Sequence, residues 1–123
     1  MGIRIEKINR ELQKQIANII SKEVDDPALG IFSITKVDTS PDLKESKIYF
    51  SLLDDKKYEE VLKILDKMSS FIKTSVAKKI HLKILPNFKF VPDHSISYSV
   101  YMYKKIEEIR QNDRKNYRKN KKQ

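Results

Sequence analysis

A stripe of apolar residues at Ile5, Ile8, Leu12, Ile16, Ile19, Ile20 and Val24 dominates the start of the chain. Steps of three and four put them on one side of a helix, which must bury that side against something else. Arg4, Glu6, Lys7, Arg10, Glu11 and Lys14 fill the other side with mixed charge that suits i,i+4 pairing. Pro27 disfavours helical geometry at Asp26, so this helix is expected to end near Asp25-Asp26 after about 20 residues. What covers the stripe decides the fold.

Gly30 opens the first extended segment. In IFSITKVDTS, Phe32 and Ile34 share one face, and Val37 rejoins it only after a local irregularity. In SKIYFSLL, Ile48, Phe50 and Leu52 alternate with Tyr49, Ser51 and Leu53. SPDLKE between them offers Pro41 and Asp42 for a turn, so an antiparallel hairpin is expected. Helical spacing returns at Tyr58, Val61, Leu62 and Leu65, then at Met68, Ile72, Val76 and Ile80. Serines suit a cap better than a helix interior, so Met68-Ser69-Ser70 reads as a kink between helix 57–67 and a second helix to about Ile80. A third strand is expected from Leu82 to Val91, its faces alternating lysine with branched and aromatic residues, and a last helix from about Ser95 to Arg110.

The order is helix, strand, strand, helix–kink–helix, strand. A sheet of three strands buries one face well, so the helices should gather there. If the second and third strands are parallel, the helical pair makes the crossover. This is the α+β plan of a small KH-like domain in the type II order, assigned to residues 1–110. Residues 111–123 have almost no apolar side chain and read as a basic, disordered tail.

Charge is segregated along this plan. Residues 1–66 carry 11 basic and 13 acidic side chains, whereas 67–92 carry six lysines and no acid. Residues 104–123 add nine basic and three acidic side chains, and the whole chain has a net charge of +9. Positive charge gathered in blocks points to a polyanion, because lysine contacts to phosphates release condensed counterions. Lys73, Lys78, Lys79 and Lys83 lie on or just beyond the helix after the kink, with Lys89 on the last strand; these are the main candidates for phosphate contacts. Arg4 near the start, and Arg114, Lys115, Arg118 and Lys119 in the tail, are further candidates. A KH domain holds nucleic-acid backbone with a GXXG loop. The only glycines here are Gly2 and Gly30, so that loop is absent, and Ser69 and Ser70 stand in its place. Hydroxyls and amides at a helix start suit a phosphate. Recognition of RNA shape is therefore favoured over threading of a single strand.

Enzyme constellations are thin. His81 and His94 have no cysteine or spaced acid to complete a metal site, and the chain has no cysteine at all. Asp25-Asp26 and Asp54-Asp55 match two-metal nuclease ligands only in composition, since both pairs fall at element ends where acids cap and turn. No nucleophile–base pattern or Gly-rich phosphate loop is present. No apolar run nears the roughly 18 residues of a membrane span, and MGIRIEKINREL turns charged too early for a secretory signal. A non-catalytic monomer without cofactor or membrane partner, in the cytoplasm, is expected. A basic adaptor for an acidic protein and a magnesium-dependent nuclease are the rival readings.

Three segments carry a family resemblance: RIEKINRELQKQIANIISKEVDDPALG, VDTSPDLKESKIYFS and FIKTSVAKKIHLKILPNFKFVPDHS. Their most specific pieces are Asp26-Pro27-x-Leu29, Ser40-x-Asp42-Leu43 with Lys47-Ile48-Tyr49, and Pro86-x-Phe88-x-Phe90-x-x-Asp93-x-Ser95. Over about residues 3–103 the chain resembles the ribosome-binding factor A family. It departs at Ala28, where the family often has arginine, and at Met68-Ser69-Ser70, where the family favours Ala-x-Gly. The resemblance implies a KH-like ribosome biogenesis factor that binds the free small ribosomal subunit through its ribosomal RNA. It further implies a role in late rRNA processing, often under cold shock, and departure before translation.

Overall fold

The computed structural model describes residues 2–24, 26–82 and 84–121. Its elements run α1 (Gly2–Glu23), β1 (Phe32–Thr39), β2 (Glu45–Leu52), α2 (Tyr58–Lys67), α3 (Ser69–Ala77), β3 (Asn87–Pro92) and α4 (Ser95–Lys121). Single 3-10 turns at Pro27–Leu29 and Asp55–Lys57 lead into β1 and α2. Gly30 follows the first of these at φ +52, a left-handed geometry that favours glycine. The sheet order is β1-β2-β3, with β1 antiparallel and β3 parallel to the central strand. This is the KH-like α+β plan in the expected order.

One face of the sheet carries the core. Ile34 and Val37 of β1, Ile48, Phe50 and Leu52 of β2, and Phe90 of β3 are buried there. Leu12, Ile16 and Ile20 of α1, Val61 and Leu65 of α2, and Ile72 and Val76 of α3 cover them. Phe50 stands at the centre, stacked on Phe32 at 5.8 Å between ring centroids and tilted against Tyr58 at the same distance. Such aromatic pairs add about 1 kcal/mol each beyond the area they bury. The irregularity expected in the first strand is a register shift between Ile34 and Lys36, which returns Val37 to the core face. The hairpin turn is tied by Ser40 Oγ donating to Asp42 Oδ1 at 2.6 Å and by Lys44 N–H donating to the same oxygen at 3.1 Å.

Two elements differ from expectation. The third strand begins at Asn87 rather than Leu82, because Pro86 supplies no N–H to a ladder. Ile84 is consequently 80% exposed and Leu82 is half-buried, while Phe88 and Phe90 face inward from β3. The last helix does not stop near Arg110 but continues to Lys121, through residues read as a disordered tail. No proline or glycine interrupts 95–121, and Lys, Arg, Glu and Gln are good helix formers without any apolar stripe. Lys105–Glu108 and Glu107–Arg110 ion pairs, each at i,i+3, add a few tenths of a kcal/mol. Beyond its first turns α4 is largely exposed as far as Lys115, and Tyr98, Tyr101, Tyr103 and Ile109 are all more than half open to solvent.

Candidate nucleic-acid interface

The α2–α3 junction turns on one residue. Met68 leaves helical geometry at φ −94 and ψ 3, yet its N–H still reaches Ile64 O at 3.0 Å and its carbonyl accepts from Ile72 N–H at 2.9 Å. Val61 and Leu65 before the break and Ile72 and Val76 after it are fully buried, so both helices hold the same core face. The kink expected at Met68-Ser69-Ser70 falls on Met68, and Ser69 and Ser70 are the first two residues of α3. Met68 holds the cap position and makes no side-chain capping bond. Ser69 is half-buried and Ser70 exposed.

α3 presents its charge at the far end from this kink. Lys73, midway, donates to Asn87 Oδ1 at 2.8 Å and ties the helix to the start of β3. The helix closes with a turn in which Val76 O accepts from both Lys79 N–H (2.9 Å) and Ile80 N–H (3.0 Å). That turn leaves Lys78 and Lys79 exposed side by side. Lys89 is elsewhere: it lies between Phe88 and buried Phe90, so the strand's alternation puts it on the sheet face away from α3, in register with Lys47 of β2. Lys36 of β1 shares this open face, 5.9 Å from the centroid of the Tyr49 ring. Arg4 is exposed on the first turn of α1; Arg114 and Lys115 are exposed on α4, and Arg118 and Lys119 lie on its last turns. Lys83 lies outside the described residues.

The ion pairs among the described residues join Arg10 to Glu6, His94 to Asp55, Lys105 to Glu108 and Arg110 to Glu107. None of these engages Lys73, Lys78 or Lys79. The acids considered as metal ligands are spent locally: Asp54 Oδ1 caps the 3-10 turn by accepting from Lys56 N–H at 3.0 Å, and Asp55 pairs with His94 Nδ1 at 2.8 Å. Asp25 lies outside the described residues. No described helix is long and apolar enough to cross a membrane.

Residues 4–106 match the family described as Ribosome-binding factor A. A Staphylococcus epidermidis protein of that name is 33% identical over 114 residues, covering 92% of this chain and 98% of its own. The chain belongs to the ribosome-binding factor A family. The fold agrees: the crystal structure of ribosome-binding factor A from Thermus thermophilus superposes with a TM-score of 0.66 at 20% identity, over 72% of this chain and 94% of that one. A homology model of the Thermus thermophilus factor, fitted into the cryo-EM map of its 30S complex, gives a TM-score of 0.60 at 22% identity, over 68% of this chain and 88% of that one.

The chain also carries a groove that the sequence did not reveal. Lys22, in the last turn of α1, lies with Gln15 and Asn18 across from Ser75, Lys78 and Lys79, around a space of about 450 Å³. Lys22 belongs to a stretch whose net charge is negative, so counting charge by blocks hides it. Its position four residues after Asn18 on the stripe-bearing helix was the available signal, and only the packing of α1 on α3 gives it meaning.

Proposed function

We propose that this protein binds the free small ribosomal subunit through its ribosomal RNA, assists late maturation of that RNA without catalysing a reaction, and leaves before translation. The observation that carries this reading is the exposed lysine pair at the end of α3, which no ion pair among the described residues engages, in a member of this family whose Thermus thermophilus relative has been placed in a 30S complex. Ammonium groups outside ion pairs are ready to meet phosphates, and contacts of that kind hold a partner without reading its sequence. They also weaken steeply as salt rises, which suits a factor that must depart.

In this reading residues 1–110 are the RNA-binding domain and 111–123 a basic extension that adds attraction. Lys73, Lys78, Lys79 and Lys83 make the principal contacts. Arg4, Ser69, Ser70, Lys89, Arg114, Lys115, Arg118 and Lys119 supply secondary ones. The protein works in the cytoplasm as a monomer without a cofactor. Co-sedimentation with purified small subunits and with whole ribosomes tests this, repeated for a folded Lys73/Lys78/Lys79/Lys83→Glu variant. Selective binding to free small subunits that the variant loses is the expected result. RNA-independent binding to a ribosomal protein would replace this reading with the adaptor one.

A further inference from the structure

We infer that the groove between α1 and α3 is the track on which the RNA backbone lies, and that Lys22 is a phosphate contact equal in weight to Lys78 and Lys79. The inference rests on the proposed RNA-binding function and deepens it by naming the surface. Three lysines from two helices line it, Lys22 from the last turn of α1 and Lys78 and Lys79 from the turn that closes α3. Glu23 is the one acid on the rim, so the groove keeps a net positive charge. No ion pair among the described residues engages any of the three lysines.

The uncharged members of the groove suit the same occupant. Asn18 and Ser75 add an amide and a hydroxyl to the lining, side-chain types that contact phosphate and sugar oxygens, while Gln15 Nε2 donates to Glu11 Oε1 at 3.0 Å. The groove opens to solvent without an aromatic side chain on its walls, which favours contact with backbone over stacking on splayed bases. It lies at the opposite end of α3 from the Met68 break, roughly 13 Å along a helix of nine residues. The RNA backbone on this track therefore engages the end of α3 and the end of α1, and any contact by Ser69 and Ser70 at the kink lies outside it. Lys89 lies on the far face of the sheet, so its secondary contact falls outside this track.

The test measures affinity for free small subunits and for naked small-subunit ribosomal RNA across a series of salt concentrations. The proteins are wild type, Lys22→Ala, Asn18→Glu and Lys36→Ala, each checked for an unchanged melting temperature. Asn18 and Lys22 are exposed, so neither substitution removes core packing. Lys22→Ala should weaken binding about fivefold to tenfold near 0.1 M salt and reduce the salt slope by about one. Asn18→Glu, which adds an anion while leaving every lysine in place, should weaken it at least as much, and Lys36→Ala, on the open face of the sheet, should change binding less than twofold. Wild-type affinity and slope in both groove variants would overturn the groove while leaving the RNA-binding function standing. Loss of binding to subunits with full binding to naked RNA would make the occupant a ribosomal protein and also overturn it. Failure of the wild-type protein to bind either probe would instead remove the proposed function itself.

Discussion

Thr35 Oγ1 donates a 2.6 Å hydrogen bond to Asp93 Oδ2, so a residue of β1 and the residue that follows β3 meet over the central strand. The register shift at Ile34/Lys36 makes this possible, because the extra residue of a bulge leaves the ladder and turns its side chain elsewhere. Asp93 binds its neighbours three ways. Its N–H donates to Phe50 O at 2.6 Å, its carbonyl accepts from Tyr58 Oη at 2.7 Å, and its Oδ1 accepts from Ser95 N–H at 3.0 Å as α4 begins. One aspartate thereby joins both outer strands to the start of the last helix.

That carboxylate should make stability depend on acid. The Thr35 hydroxyl, with help from Ser95 N–H, holds the Asp93 carboxyl below its ordinary value of 3.8 against the opposing effect of burial. A folded-state pKa below the unfolded one stabilises the protein above the unfolded value, and the contribution fades as pH falls through the folded value. Asp93→Ala should therefore cost about 1 kcal/mol at pH 7, the usual cost of losing a carboxylate at a helix start. Thermal melts at pH 7 and near pH 3 check this: the gap between wild type and variant should narrow in acid. A gap that widens would contradict the assignment.

Tyr58 is the other end of the same joint. Its ring is buried between Phe50 and His94, 4.1 Å from the latter, while its hydroxyl accepts from Leu52 N–H at 3.0 Å and donates to Asp93 O. Tyr58→Phe keeps the ring but strands a buried N–H, which costs about 1–3 kcal/mol. Urea unfolding should show a lower midpoint with an unchanged slope, because the surface exposed on unfolding stays the same.

A second polar pair is sealed inside the hairpin. Thr39 Oγ1 and Ser46 Oγ lie 2.7 Å apart, and both residues are buried. Ser46→Ala alone leaves the threonine hydroxyl without its partner and should destabilise by about 1–2 kcal/mol. Thr39→Val combined with Ser46→Ala removes both polar groups at nearly constant shape and should recover most of that loss. A double-mutant cycle by chemical unfolding reads the difference as a coupling of about 1 kcal/mol.

How far the fold is legible in the sequence depends on how local each signal is. The α1 stripe, the two hairpin strands and the bulge before Val37 follow from periodicity, because each buries its own apolar set. β3 starts late because alternation through His81–Pro86 mimics a strand, while only the missing N–H of Pro86 tells against pairing there. The length of α4 was hidden for the converse reason: it has no core to face, so intrinsic propensity alone carries it. At the candidate interface, Lys78 and Lys79 were legible as a run of charge. Lys22 was not, since its partners lie more than fifty residues away and meet it only through the packing of α1 on α3.

The C-terminal extension should separate binding from stability. Residues 111–123 hold six basic side chains and one acid, and those of 111–115 are exposed. Deleting 111–123 should leave the melting temperature essentially unchanged, as surface changes that touch no core usually stay within about 0.5 kcal/mol. Affinity for small subunits should fall, and the dependence of log affinity on log salt should flatten by roughly 0.7–0.9 for each phosphate that the extension no longer neutralises. Titrations of full-length and truncated protein at several salt concentrations measure this directly. An unchanged salt slope after truncation would mean that the basic block never approaches the phosphates, and that the groove between α1 and α3 carries the attraction by itself.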